Sequence, residues 1–331
     1  MKSTAFFFAL LLGLLSACSS APIRLDRGRI ESPAMGRPMD YAVYTPPGWT
    51  RSERLPLVVF LHGAGDSEAC FDRARVGQAL DQAITEGRAP RVVICVPDGE
   101  LGFWENWYDR TRHYRDWVMD DLVPHVRATY NTLEGRQNTH LAGISMGGHG
   151  ALRFARKEPN EFSSAAIISA PLLDSEHVKH FADSIWVRLF VPKKRIWGST
   201  GDYERIREED VFRQWQTQED LGGHRVMLAH GDDDKEGVVL GNSAFHQHLR
   251  ERGVDHEYLV YSGAHAWKDW RPLFPEVLRF LVEEEEGGPV VAAAEATPVG
   301  GRSASSFSSI DETPRVDASR FESDVAPTTQ R

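Results

Sequence analysis

Five stretches of this chain are apolar from end to end and stop abruptly. They are "LPLVVFLHG", "RVVICVPDG", "THLAGIS", "SSAAIISAP" and "HRVMLAHGD", each closed by glycine, proline or polar residues. A strand with one wet face alternates apolar and polar residues, whereas a strand covered on both faces reads as an unbroken apolar run. "HEYLVYSGAH" is one more candidate, and "MDYAVYTPPGW" is an alternating strand ended by a Pro-Pro-Gly turn. Helical patterns fall between these runs at 76–86, 115–130, 148–157, 242–252 and 275–285. Strand and helix in repeated alternation predict an α/β fold, a mostly parallel central sheet with helices on both faces. The stretch 172–223 interrupts the rhythm and is long for a connector, so it is expected to form a cap-like insertion.

Composition narrows the function classes. The 331 residues are 41% hydrophobic, enough for a sizeable core, and the formal net charge of −10 argues against a nucleic acid partner. The sequence opens "MKSTAFFFALLLGLLSAC", with one basic residue (Lys2), an apolar stretch over 5–15 and then small residues. That pattern is a secretory signal and is too short for a membrane span. "LSAC" resembles the bacterial lipobox, which makes 1–17 the signal peptide and Cys18 the lipidated first residue of an exported lipoprotein. Acyl chains on Cys18 would hold the folded domain on a membrane, outside the cytoplasm. The alternative is a plain cut after Ala17 or Ala21 and a soluble secreted or periplasmic protein, although Pro22 disfavours the second position. Residues 18–30 read as a linker and 31–286 as the folded domain. The segment 287–331, rich in Gly, Pro, Ser, Thr and Ala, reads as a disordered tail. Cys70 and Cys95 are expected to be unpaired thiols. No metal site is expected, because "HVKH" and "HQH" are isolated histidine pairs that read as surface residues.

In an open α/β sheet the functional groups gather at the carboxyl ends of the strands. Ser145 ends "HLAGIS" and opens a helix, with Gly143 and Gly147 two places to either side. A serine on so sharp a strand–turn–helix needs close, small neighbours, and the turn aims the Met146 amide at a developing oxyanion. "FLHGAGDSE" follows an earlier strand and puts Ala64, with Gly63 as alternative, where a second backbone donor belongs; a plain glycine turn would read the same. His62 reads as a residue that positions this loop. The candidate base is His265 in "YSGAHAWKDW", after the last strand and before the last helix. The candidate acid is Asp234 in "LAHGDDDKEG", with Asp232 and Asp233 as close rivals and Asp174 a more remote one. The order Ser145, Asp234, His265 is that of α/β-hydrolases and of neither trypsin-like nor subtilisin-like proteases. Trp104, Trp107 and Tyr108 in "LGFWENWYD", with Trp267 beside the histidine, offer either an aromatic substrate wall or ordinary loop packing.

These residues resemble one family. From about Asp40 to Leu281 the chain is similar to the esterase family of α/β-hydrolases that includes esterase D, feruloyl esterase modules, enterochelin-type esterases and mycolyltransferases. "LAGISMGGHGAL" resembles its nucleophile segment, "YRDWVMDDLVPHVRATY" the helix-bearing segment before it, and "GAHAWKDWRPLFPEVLRFL" its His-x-Trp ending. The resemblance implies Ser145 as nucleophile, Asp234 as acid and His265 as base, in a two-step acyl transfer that needs no cofactor. The chain departs from the pattern around the acid, in its three consecutive aspartates and in "KEGVVLG". The implied substrate is a small or polymer-linked ester, with an aryl-acyl or carbohydrate ester as the suggested class. An acyltransferase using the same site and a non-catalytic surface binding lipoprotein are the alternatives.

Overall fold

The computed structural model describes residues 25–183, 189–198 and 209–282. The signal peptide, Cys18, the tail and parts of the 172–223 insertion lie outside the described residues. Eight strands form one sheet: β1 (Leu25–Ser32), β2 (Arg37–Tyr44), β3 (Leu57–Leu61), β4 (Val93–Pro97), β5 (Thr139–Ile144), β6 (Ser164–Ile168), β7 (Arg225–Gly231) and β8 (Glu257–Tyr261). Their spatial order is β1-β2-β4-β3-β5-β6-β7-β8. The pairs β1–β2 and β2–β4 are antiparallel and the remaining pairs are parallel.

The unbroken apolar runs form the interior strands, as their pattern requires. Val58, Phe60, Ile94, Ile144, Ile168 and Met227 point to one face, where α1 (Val76–Thr85) and the later helix Phe274–Val282 cover them. Val59, Leu61, Cys95, Leu141, Ile167 and Leu228 point to the other. That face is covered by α2 (Val123–Tyr130), α3 (Met146–Lys157) and α4 (Glu236–Glu251); the helix Phe274–Val282 is α5. A π-helical turn over Trp117–Leu122 leads into α2, whose Pro124 has no N–H to donate back along an α-helical ladder. Cys70 and Cys95 are free and fully buried, and burial pushes both thiols up.

Two elements differ from the sequence reading. The sheet already includes residue 25, so part of the stretch read as linker, 18–30, is strand β1. "LDRGRIES" carries little apolar signal because β1 is an edge strand, bonded on one side only. Its polar side chains lie across the surface in the ion pairs Arg27–Asp72 and Arg29–Asp40, both at 2.5 Å. Helix α4 begins at Glu236 instead of 242, because Gly237 and Gly241 interrupt the periodic signal of its first turns.

Strand register levels the ends that matter. Leu61 pairs with Gly143, Ile144 with Ile168, Ile168 with Ala229, and Gly231 with Tyr261. The residues that follow β3, β5, β6, β7 and β8 therefore emerge along one edge of the sheet. The described parts of the insertion bury Ile196, Trp197, Val211, Trp215 and Leu221 in the same core cluster as Trp104 and Met146. Backbone bonds from Tyr108 N to Ile196 O (3.0 Å) and from Asp109 N to Arg195 O (3.2 Å) tie the insertion to the loop after β4.

Candidate active site

Ser145 sits between β5 and α3 at φ 56°, ψ −120°, in backbone space that side chains rarely occupy. The glycines around it leave no choice of residue. A β-carbon on Gly147 would lie 1.9 Å from the Leu61 carbonyl oxygen, and one on Gly143 would lie 2.1 Å from that of Gly147. Nothing larger lets α3 start so close behind the strand. The Ser145 amide donates to Ile168 O at 2.8 Å, and Met146 opens the helix.

Three strand ends converge on this turn. His265 Nε2 lies 3.0 Å from Ser145 Oγ, and His265 Nδ1 lies 2.7 Å from Asp234 Oδ1. The Asp234 side chain is fully buried, while Asp232 and Asp233 are exposed. Asp232 holds the histidine loop by accepting from Gly263 N at 2.9 Å, and the Asp233 amide donates to Gly263 O at 3.0 Å. Asp174 bonds His177 at 2.8 Å. Of the four aspartates weighed from sequence, Asp234 is the one brought to His265. Burial alone would lift its carboxyl, but bonds from His265, Ser169 and the Lys235 amide outweigh that and hold it below the usual carboxylate range.

The loop after β3 closes the other side. A β-carbon on Gly63 would stand 3.3 Å from the Ser145 β-carbon and 4.0 Å from its Oγ, so the Gly63–Ala64 segment borders the serine. His62 is fully buried: its Nε2 accepts from Gly99 N at 2.9 Å, which places the ring proton on Nδ1, where it donates to Gly63 O at 2.8 Å. It is a loop-positioning residue.

The aromatic residues need correction. Trp104 is 1% exposed, its ring wedged against Gly99 and Gly150 and its indole N–H directed to His62 O at 3.2 Å. Trp107 is 7% exposed, donates to Gly102 O at 3.3 Å and lies under the Arg195 guanidinium at 5.0 Å. Both support the loops and offer a substrate almost no surface. Tyr108 is exposed, with its ring against Gly198. Trp267 is half-buried, packs on Phe60, Phe71 and Phe274, and donates to Asp66 Oδ2 at 2.7 Å, which joins the histidine loop to the loop after β3. The "HQH" histidines are partners within the fold as well. His246 lies 2.8 Å from His256 and stacks on Tyr258, and His248 donates to Trp215 O at 2.8 Å. Among the described residues, no three or more His, Cys, Asp or Glu side chains are grouped to hold a metal ion.

Sequence reasoning assigned no role beside Asp234 to Ser169, Tyr261 or Trp270, which bond one another behind it. Ser169 follows β6, and the strand-end rule that found Ser145 was available for it too. No motif marks it, however.

A mostly parallel eight-stranded sheet, with a serine at a strand–turn–helix elbow and an aspartate and a histidine within hydrogen-bond reach after later strands, is the α/β-hydrolase fold. The profile of the family described as "Putative esterase" matches residues 32–281, and the chain belongs to that family; it is an esterase, a hydrolase of carboxylic esters. An acetyl esterase of Caldicellulosiruptor saccharolyticus is 24% identical over 239 residues, covering 70% of this chain and 84% of that protein. Esterase Rv1288 of Mycobacterium tuberculosis is 24% identical over 266 residues, 74% of this chain, which spans only 56% of that longer relative. Among solved structures, a ferulic acid esterase superposes with a TM-score of 0.61 at 23% identity, over 77% of this chain and 98% of its own. The fluorophosphonate-binding serine hydrolase FphF of Staphylococcus aureus superposes at 0.64 and 18% identity, over 78% of this chain and 98% of its own.

Proposed function

We propose that this esterase works through Ser145 as nucleophile, His265 as general base and Asp234 as the acid that orients it, with the Met146 and Ala64 amides receiving the oxyanion. The observation that carries the reading is the unbroken hydrogen-bond path from Asp234 through His265 to a serine on a strained turn. With Nδ1 donating to the carboxylate, Nε2 presents its lone pair to the Ser145 hydroxyl. The proton passes to Nε2 as Oγ attacks the ester carbonyl, and Asp234 stabilises the imidazolium that forms. The imidazolium then protonates the leaving alcohol, and water activated by the same histidine releases the acid from the acyl-enzyme.

The substrate class is a short-acyl or aryl-acyl ester carried by a carbohydrate. Its support is the similarity to an acetyl esterase, to a ferulic acid esterase and, over 157 residues, to an endo-1,4-beta-xylanase/feruloyl esterase. With Trp104 and Trp107 buried, Tyr108 and Trp267 remain as the aromatic candidates for substrate contact. The lipobox-like "LSAC" supports export as a lipoprotein acylated at Cys18.

The test is a panel of p-nitrophenyl and methyl esters, from acetyl to feruloyl, together with acetylated and feruloylated oligosaccharides. The wild type should hydrolyse members of the panel, and Ser145→Ala should lose roughly 10³-fold or more in kcat. Hydrolysis surviving in Ser145→Ala would contradict the assignment of the nucleophile. Equal kcat/KM for carbohydrate-borne and simple alkyl esters would contradict the substrate class.

A further inference from the structure

We propose that Ser169 is a positioning residue for the acid, and that its contacts fix the direction of every hydrogen bond from Trp270 to Ser145. The inference rests on the triad reading above. Ser169 stands at φ 49°, a left-handed conformation that L residues rarely adopt, and is fully buried. Its amide donates to Ala229 O at 2.7 Å, so the backbone is held from the neighbouring strand. Its Oγ has three partners: Asp234 Oδ2 at 2.6 Å, Tyr261 OH at 2.8 Å and Trp270 Nε1 at 3.0 Å.

The proton count at this oxygen leaves one arrangement. An indole N–H can only donate, so Trp270 fills one lone pair of Ser169. An ionised carboxylate can only accept, so the single Ser169 proton goes to Asp234 Oδ2. Tyr261 must then donate into the second lone pair. Asp234 accepts from Ser169 on Oδ2, and from the Lys235 amide at 2.7 Å and His265 Nδ1 on Oδ1. Three donors thus meet the carboxylate, two on Oδ1 and one on Oδ2, which keeps it ionised and turned toward the imidazole. With the ring proton committed to Nδ1, Nε2 is left as an acceptor toward Ser145. Trp270 braces the same unit from a second side, its ring edge-on to His265 at 4.9 Å between centroids. A strained serine with both lone pairs filled by donors is a costly arrangement for packing alone, and its one free proton is aimed at the acid.

The experiment compares Ser169→Ala and Ser169→Gly with wild type, using p-nitrophenyl acetate across pH. The glycine variant suits φ 49° and keeps a folded comparison available if alanine does not fold. Both variants should lose about tenfold in kcat with KM unchanged, the effect of removing one hydrogen bond to a charged group. The acid limb of kcat/KM should move to higher pH, because the Asp234 carboxylate has lost a donor to its charged form. A melting temperature measured alongside separates loss of fold from loss of positioning. A folded Ser169→Gly with the wild-type kcat and pH profile would overturn the proposal. If wild-type turnover were instead unaffected by Ser145→Ala, the triad reading itself would fall, which is a distinct result.

Discussion

At Ser145 and Asp234 the geometry is decided by which side chain the backbone lets into one small space. The placing of Ser145 on a sharp turn was legible because it has glycines on both sides, a strand before and a helix after. His265 was legible because it follows the last strand and precedes the last helix. Which aspartate reaches His265 was not, since Asp232, Asp233 and Asp234 share one sequence context. What separates them is burial and the turn's geometry: the first two bond the Gly263 backbone from outside, and only the third reaches His265. Asp234→Asn should therefore reduce kcat by roughly 10³- to 10⁴-fold, through loss of the imidazole's orientation and tautomer. Asp232→Asn and Asp233→Asn should stay within about threefold, since an asparagine at 232 can still accept from Gly263 N and Asp233 bonds the same loop through its backbone amide. Steady-state kinetics on one p-nitrophenyl ester checks all three, and equal losses would contradict the choice. The part proposed for Ser169 could not be read from its strand-end position alone, because it depends on a backbone angle and on partners about 65 and 100 residues away.

At the scale of elements, the interior strands were readable because burial on both faces demands apolar residues throughout. The edge strand β1 was not, since ion pairs suffice on its surface. The loop after β4 misled in a different way. Tryptophan is equally apt for lining a pocket and for supporting a loop, and only the packing of Trp104 under His62 distinguishes the two. Strand β5 also carries a polar residue that its apolar run conceals. His140 is 2% exposed, with Nδ1 at 2.9 Å from Ser164 Oγ. Burial, assisted by the positive Arg225, pushes its imidazole down to about 4. An unfolded histidine binds its proton from about 6.5 downward. Between these values the unfolded state holds more protons than the folded one, so stability rises with pH and falls on acidification. The loss from His140 should reach about 2 kcal/mol at pH 5. Urea unfolding at pH 7 and pH 5 should show a smaller pH 5 deficit in His140→Asn than in wild type, and identical deficits would contradict the account.

For the molecule as a whole, the fold class and the order of the triad candidates could be read from the chain, because both follow from where apolar runs stop. The extent of the domain was less legible at its start, and the described parts of the insertion share the core in a way no local pattern announces. The N-terminal sequence makes a separate claim about where the enzyme works. Cys18→Ser should move the protein from the membrane fraction to the soluble fraction of expressing cells, and unchanged partitioning would contradict lipidation. The central claim is that a single serine at the strand–turn–helix elbow is the nucleophile. The most direct measurement is mass spectrometric mapping of the adduct formed with a fluorophosphonate probe. The account predicts one modified peptide, carrying the probe on Ser145, and no adduct in Ser145→Ala or His265→Ala. An adduct on another residue, or an unlabelled wild type that still hydrolyses esters, would contradict it.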